Sequence, residues 1–349
     1  MKAFKKDIAK IDGLYACRQP FYGELHDHSS CGDGKNTLAQ WKAGMEALQM
    51  DFAAIVDHHQ VQHMYHHDFV DGLFLGGTEP AATITDSPAA RPRVHYNMIF
   101  ADPGPLEQLV TEFAEYQFTG GPTGRFGYPK FTRERFAQVV QRVRELGGFF
   151  VHPHPKQLME SEDPLEYWFA DETGLEVLYT YHEDRDGGAT AANYKLWTDL
   201  LAAGKRVYAT AGNDEHHMPS DKALTTLYAT RRSSASYLEV LRSGDFVAGP
   251  VGIQMCIGDT RMGGRCSFAD QRLVLRVGDL HSSVLDSSHT YRVVLYAGSR
   301  KVAKCDFTCE QAAYFAWNVK PDVPFYRVEI WDMTLNSRLA YGNPIWNIG

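Results

Sequence analysis

Between residues 21 and 249, short apolar runs alternate with amphipathic stretches, and that rhythm restricts the chain to few architectures. FYGELH (21–26), DFAAIVD (51–57), LFLGG (73–77), RVHYNMIF (93–100), GFFVH (148–152), GLEVLYT (174–180) and RVYATAG (206–212) are predicted strands. Leu38, Trp41, Met45 and Leu48 recur at helical spacing and predict a helix over 37–49. Phe136, Val139, Val140, Val143 and Leu146 form the inner face of a second helix over 131–148, which Gly147-Gly148 stops. Further helices are predicted at 190–204 and 235–244. Strands alternating with helices predict a mostly parallel sheet, either open or closed into a barrel.

The pattern changes near Gly249-Pro250. RLVLRVGDL, TYRVVLYAG, KVAKCDFT, AAYFAWNV and FYRVEIWDM show strand-like alternation between Gly, Pro, Asp and Ser turns. Short strands so spaced suggest a small β-sandwich, giving two domains, 1–250 and 251–349. Lys and Arg number 35 against 43 Asp and Glu, a net charge of −8, which argues against a nucleic-acid groove or a polybasic membrane surface. No apolar run approaches the roughly 18 residues of a membrane span. MKAFKKDIAKIDG at the N-terminus lacks the apolar stretch of a secretory signal. The six cysteines form no CxxC pair and read as reduced thiols, so a cytoplasmic protein is expected.

All of the 15 histidines except His281 and His289 lie between positions 26 and 217. His26 and His28 stand two apart at a strand end, on one face, where two imidazoles can share a metal ion. Alone, such a pair reads equally well as two solvated histidines. Its context is more specific. Other predicted strands end in or near His58, Glu79, His95, His152 and His154, and Asp214 with His216. In a barrel these ends face one mouth, so a multinuclear metal centre is the favoured reading. Asp57 adjoins His58, so the two should not converge on one ion. Asp57 is instead expected to orient a ligand imidazole. His59, His63, His66, His67, His182 and His217 read as solvated surface histidines, and Cys31 as incidental. Glu24, Asp27 and Glu215 read as solvated or capping acids, with Asp27 pointing away from His26 and His28. Lys156, Arg185, Arg91 and Arg93 follow strand ends, where a cation can hold a phosphate or simply occupy a loop. Mixed His/Asp/Glu ligation suits Zn, Mn or Fe. Two such ions make hydroxide available near neutral pH and offset the charge of phosphate oxygens. The chain has no G-x-S-x-G elbow and no P-loop.

Taken in order, HDH…DG, VDHH, GTE, VHYN, GGFFVHPHP and GNDEHH resemble the motifs of the PHP (polymerase and histidinol phosphatase) superfamily. ALTTLYATRRSSASYLEVLRSGDFVAGP and the terminal NPIW resemble its CehA/McbA-like branch. The resemblance implies an α/β fold, a distorted seven-stranded (β/α) barrel of PHP type followed by the β-sandwich. It also implies two or three divalent ions. His26, His28, Glu79 and Asp214 would hold the first. Glu79 would bridge to a second, held by His95 and a histidine of the HPHP segment; the family's spacing from Gly148 selects His154 over His152. Asp33, His58 and His216 would hold a third, with Asp57 and His216 as the expected catalytic residues. The implied activity is hydrolysis of a small phosphomonoester or phosphodiester, with no nucleic acid or membrane partner. Carboxylic ester or carbamate hydrolysis on the same centre stays open. So does a binding role for the β-sandwich, with aromatics at 314, 315, 317, 325, 326 and 331 as either platform or core.

Overall fold

A computed structural model of the chain describes residues 2–121, 124–180 and 188–349. His182 and Arg185 lie outside the described residues. The chain opens with α1 (Lys2–Tyr15), a helix that the sequence reading did not include. Then come β1 (Gln19–Asp27), α2 (Leu38–Ala47), β2 (Phe52–Ile55), β3 (Phe74–Thr78), β4 (Ala81–Ile84), β5 (Arg93–His95) and β6 (Asn97–Phe100). After α3 (Pro103–Glu112) come β7 (Lys130–Phe131), α4 (Arg133–Glu145), β8 (Phe149–His152), the short α5 (Pro155–Leu158) and β9 (Thr173–Tyr179). The helical half ends with α6 (Gly188–Ala202), β10 (Val207–Gly212), β11 (Thr225–Ala229), α7 (Ser234–Ser243) and β12 (Phe246–Ala248). α2 starts where it does because Thr37 and Gln40 form a reciprocal capping box that satisfies two otherwise orphaned N–H groups.

The fold is mixed α/β. Its large sheet runs in the order β10-β9-β8-β6-β3-β2-β1-β11-β12. Within it β1, β2 and β3 are parallel, as are β8, β9 and β10, but β6 is antiparallel to both of its neighbours. The expectation of a mostly parallel sheet therefore holds within two blocks and fails at β6, and again at β11, which is antiparallel to both β1 and β12. The chain reaches β6 from β3 through β4 and β5, with no crossover helix to reverse its direction. The single strand expected over 93–100 is also divided at Tyr96. Its first part pairs with β4 in a small three-stranded sheet, and its second joins the large one. This division lifts His95 off the large sheet.

Beyond Gly249 the described residues contain strands and no helix: β13 (Val251–Ile257), β14 (Thr260–Arg261), β15 (Arg265–Cys266), β16 (Arg272–Leu280), β17 (Tyr291–Ala297), β18 (Arg300–Phe307), β19 (Ala313–Asn318), β20 (Phe325–Asp332), β21 (Ser337–Gly342) and β22 (Ile345–Asn347). β14-β13-β16-β19 form a separate sheet, while β21-β20-β17-β18 extend the large sheet past β12. The two share an apolar cluster, with Ile253, Met255, Leu275 and Val277 from one and Val293, Leu295, Val328 and Ile330 from the other. Phe325 and Tyr326 are buried, and Phe315 and Trp317 pack against that cluster, so these aromatics serve packing. The helical half has its own cluster around Phe136, Val139, Val177 and Trp197.

The halves are tied together. Val247 and Ala248 of β12 pair with Gly342 and Tyr341 of β21. The buried Asn343 accepts from the Ala209 N–H at 2.8 Å and donates to the Phe246 carbonyl at 3.1 Å. α1 lays Ile11 and Tyr15 against Tyr228, Cys256 and Val274. Among the described residues no helix is long and apolar enough to cross a membrane.

Candidate metal centre

Backbone bonds draw the strand ends together. The Asp214 N–H donates to the His26 carbonyl at 3.0 Å and the His28 N–H to the Glu215 carbonyl at 2.9 Å, which ties the end of β1 to the segment after β10. The Glu79 N–H donates to the Val56 carbonyl at 2.8 Å, placing Glu79 beside the end of β2. The β1–β2 ladder shifts register between Glu24 and Asp27, an irregularity that re-aims side chains at a strand end.

Glu79 is fully buried at the middle of the resulting cluster. Its Oε2 lies 3.1 Å from His26 Nε2 and 3.2 Å from His28 Nε2. Its Oε1 lies 2.8 Å from His95 Nδ1 and 3.0 Å from His154 Nε2. Asp214 Oδ1 lies 3.4 Å from His26 Nε2 and 3.1 Å from His28 Nε2. The second ring nitrogen of His28 faces Asp33 at 3.7 Å, and Asp33 Oδ2 is 3.3 Å from His216 Nε2 and 3.8 Å from His58 Nε2.

Donor atoms at about 2.0–2.1 Å from one tetrahedral ion stand about 3.3 Å from each other. The separations among His26, His28, Glu79 and Asp214 run from 3.1 to 3.4 Å. His26 Nε2, both nitrogens of His28, Glu79 Oε2 and Asp214 Oδ1 are buried without a hydrogen-bond partner. Leaving polar atoms so buried is costly, and a cation between them removes the cost. These residues therefore fit a divalent ion. Asp33, His58 and His216, together with His28, form a second compact donor group, and His58, Glu79 and His95 a third.

Three imidazoles have their tautomers set by the atom behind them. His58 Nδ1 donates to the Glu79 carbonyl at 2.8 Å and His216 Nδ1 to the Asp214 carbonyl at 3.0 Å, which leaves each Nε2 lone pair for the Asp33 side of the cluster. His26 Nδ1 lies 3.1 Å from Glu176 Oε1, and Glu176 Oε2 accepts from the His154 N–H at 2.8 Å. Glu176 thus orients one imidazole and anchors the backbone of another. Gly212 lies against both His26 and the Glu176 carboxylate, where a methyl group would collide. The sequence reading missed Glu176, although a glutamate inside the apolar run GLEVLYT was a usable signal. We expect Glu176→Gln to lower metal affinity about 10- to 100-fold while the circular dichroism spectrum is unchanged. Metal titration of the purified variant checks this, and an unaltered affinity would refute the orienting role.

The structure corrects several expectations. Asp57 accepts from the Ser29 N–H at 2.6 Å and its hydroxyl at 2.7 Å, and the imidazole it faces is His63, at 3.0 Å, rather than one of the clustered histidines. Asp57 thereby holds the turn between His28 and Asp33, and a Cβ at Gly32 would meet its Cβ at 2.9 Å. His63, expected on the surface, is fully buried with it. Glu24 and Asp27, expected to be solvated, are fully buried as well, because the 213–220 segment covers that side of β1; the Ser220 N–H donates to Glu24 at 3.1 Å. Burial pushes the Asp27 carboxyl up to about 7 and raises Glu24 for the same reason. His152 turns away from the cluster to the Tyr167 carbonyl at 3.2 Å, so His154 alone of the HPHP pair reaches Glu79. Lys156 donates to the Ser161 carbonyl at 2.7 Å, and Arg91 pairs with Glu160 at 3.3 Å, so neither is directed at the cluster. His66 and His67 sit beside Asp68 at the surface, apart from it.

Burial opposes charge on His28, yet Asp214 and Glu79 outweigh it and hold the imidazole up to about 10. Protons and metal ions compete for that nitrogen, so raising the pH removes the competitor. Metal affinity should therefore rise with pH by about tenfold per unit for one displaced proton, and go on rising to about pH 10. Titrations between pH 6 and 9 test this, and a flat profile would contradict it.

No family model matches the chain, and no curated protein matches it. Several solved structures are similar, three of them as follows. A two-domain protein from Bacteroides vulgatus containing a predicted PHP-like metal-dependent phosphoesterase aligns over 94% of this chain and 96% of its own, at 12% identity and a TM-score of 0.44. A proposed metal-dependent phosphoesterase from Bifidobacterium adolescentis aligns over 56% of this chain and 87% of its own, at 16% identity and a TM-score of 0.36. An amidohydrolase from Chromobacterium violaceum, with sulfate bound and no metal, gives the same coverage, identity and TM-score.

Proposed function

We propose that this chain is a metal-dependent phosphoesterase of the PHP superfamily, in its CehA/McbA-like branch, acting on a small phosphomonoester or phosphodiester. The observation that carries the reading is the buried Glu79 carboxylate with His26, His28, His95 and His154 all within 3.2 Å of it. His26, His28, Glu79 and Asp214 would hold one divalent ion, and Glu79, His95 and His154 a second. Asp33, His58 and His216, with the outer nitrogen of His28, would hold a third. Zn, Mn and Fe all suit this donor set. Such ions, when bound, make water acidic enough to ionise near neutral pH and offset the charge of phosphate oxygens.

The chain's own residues do the positioning. Glu176 and the backbone carbonyls of Glu79 and Asp214 hold the imidazoles in one tautomer. Tyr179 donates to Asp214 Oδ2 at 3.2 Å, which leaves Oδ1 directed at His26 and His28. Asp33 is half exposed at the rim of a cavity of about 440 Å³ that Gly32, His58, Gln60, Arg93, His95, Arg125 and Tyr128 also line, and a substrate would enter there.

Closure of the large sheet into a seven-stranded barrel is supported by the bonds that join the end of β1 to the segment after β10. A barrel over 1–250 and a β-sandwich over 251–349 are supported by two apolar clusters drawn mainly from those ranges, with Phe325, Tyr341 and Trp346 crossing into the first and Val247 into the second. All six cysteines are unpaired, which suits a reducing, cytoplasmic setting. A panel of phosphomonoesters and cyclic phosphodiesters, offered to protein loaded with Mn or Zn, tests the activity. No turnover at full metal occupancy would refute it, and turnover of nitrophenyl carboxylic esters alone would replace it with carboxyl ester hydrolysis.

A further inference from the structure

We propose that Arg93 and Arg125 form an anion-binding arm beside the metal cluster, so that the substrate is a phosphate ester carrying a second anionic group, carboxylate or phosphate, a short chain away from the first. This rests on the phosphoesterase reading above. Arg93 and His95 flank Val94 on β5. Val94 is fully buried, so by strand alternation the other two share the opposite face, with their Cα atoms about 7 Å apart. Arg125 reaches the same place from another element. It bridges to Gln60, two residues past His58, and the adjoining Phe126 N–H donates to the His59 carbonyl at 3.1 Å. Both arginines line the cavity that Asp33, His58 and His95 also line.

Most of the described arginines are matched with acids, as in Arg133 with Glu166 at 3.0 Å and Arg135 with Glu115 at 2.8 Å, while Arg231, Arg242 and Arg300, away from this cavity, are not. Among the described residues, neither Arg93 nor Arg125 has a carboxylate within 4.0 Å. Asp33, the acid of this cavity, is directed to His216 at 3.3 Å. The Arg93 guanidinium carbon lies 5.8 Å from the centre of the Tyr128 ring, a cation–π contact that uses none of its N–H donors. Two guanidinium groups converging on one cavity wall match the paired oxygens of a carboxylate or phosphate. In a chain of net charge −8, they place two positive charges at the entrance. A substrate whose leaving group is neutral would leave both of them without a partner.

The test is binding rather than turnover. Calorimetry on Mn-loaded protein compares butylphosphonate, 3-phosphonopropionate and propane-1,3-bisphosphonate, which share a phosphonate head and differ in the charge of the tail. We expect the two charged-tail probes to bind at least about tenfold more tightly than butylphosphonate. The tighter of the two distinguishes a carboxylate from a phosphate as the second group. Arg93→Ala and Arg125→Ala should each bring the ratio of affinities close to one, and Arg125→Lys should keep part of it. Equal binding of the three probes by the wild type, or a ratio that survives both alanine variants, would overturn the inference and leave the phosphoesterase reading in place. If no probe binds, both fall.

Discussion

Exchanging Glu79 for glutamine should remove at least one bound metal ion per chain and lower any hydrolytic turnover on the order of 10³-fold, with the fold retained. The carboxylate is fully buried and bears on both halves of the cluster, through Oε2 to His26 and His28 and through Oε1 to His95 and His154. Burial works against its charge, but His26 and His95 outweigh that and hold the carboxyl well below the ordinary range. Glutamine has the same shape and no charge, so the change removes the anion shared by the two proposed sites while packing stays intact. A single preorganised group in a buried site is worth about 10²–10³ in rate, and this one also carries metal affinity. Elemental analysis, turnover and circular dichroism of the variant decide the matter. Wild-type metal content with undiminished turnover would remove Glu79 from the centre.

Glu329→Ala should destabilise the protein by about 3–5 kcal/mol without touching the cluster. Glu329 and Arg327 are an ion pair at 2.6 Å, with side chains 0% and 3% exposed. Tyr194 of α6 donates to Glu329 at 2.6 Å, and Tyr296 and Trp331 donate to its other oxygen at 3.1 and 3.2 Å. Removing the glutamate leaves a buried guanidinium and three donors unanswered, which is the expensive way to break such a pair. Burial opposes the Glu329 charge, yet Arg327 holds the carboxyl below its usual value. A lowered folded-state value means that the pair's contribution is present above the unfolded glutamate's titration and lost as pH falls through the lowered one. Denaturant unfolding at pH 7 measures the effect. A double-mutant cycle of Arg327→Met with Glu329→Gln should return a coupling of about 1–3 kcal/mol. A loss under about 1 kcal/mol for the alanine variant would show that the pair is not needed.

The alternation of apolar runs with amphipathic stretches made the α/β character of residues 21–249 and the strand-rich character of the rest legible in the sequence, because both periods are local. So was the placing of His26, His28, Glu79, His95, His154 and Asp214 at or near strand ends, since that needs only a position and a predicted strand. The single strand expected over 93–100 failed for a long-range reason: Tyr96 lies between a ladder with β4 and a ladder with β3, and both partners are distant in sequence. α1 carried a local signal that the reading missed, since Phe4, Ile8, Ile11 and Tyr15 recur at helical spacing; what its apolar face packs on, Tyr228, Cys256 and Val274, lies far along the chain.

Residue types and their intervals, which local physics dictates, thus determined which side chains could act and roughly where the strands that bear them begin and end. Only the tertiary structure decided what each one faces. It turned Asp57 to Ser29 and His63, sent His152 to the Tyr167 carbonyl, and set Glu176 behind His26. Those choices depend on which strands are neighbours, and that is settled by packing and backbone pairing between segments tens to hundreds of residues apart, on which no short window of sequence carries information.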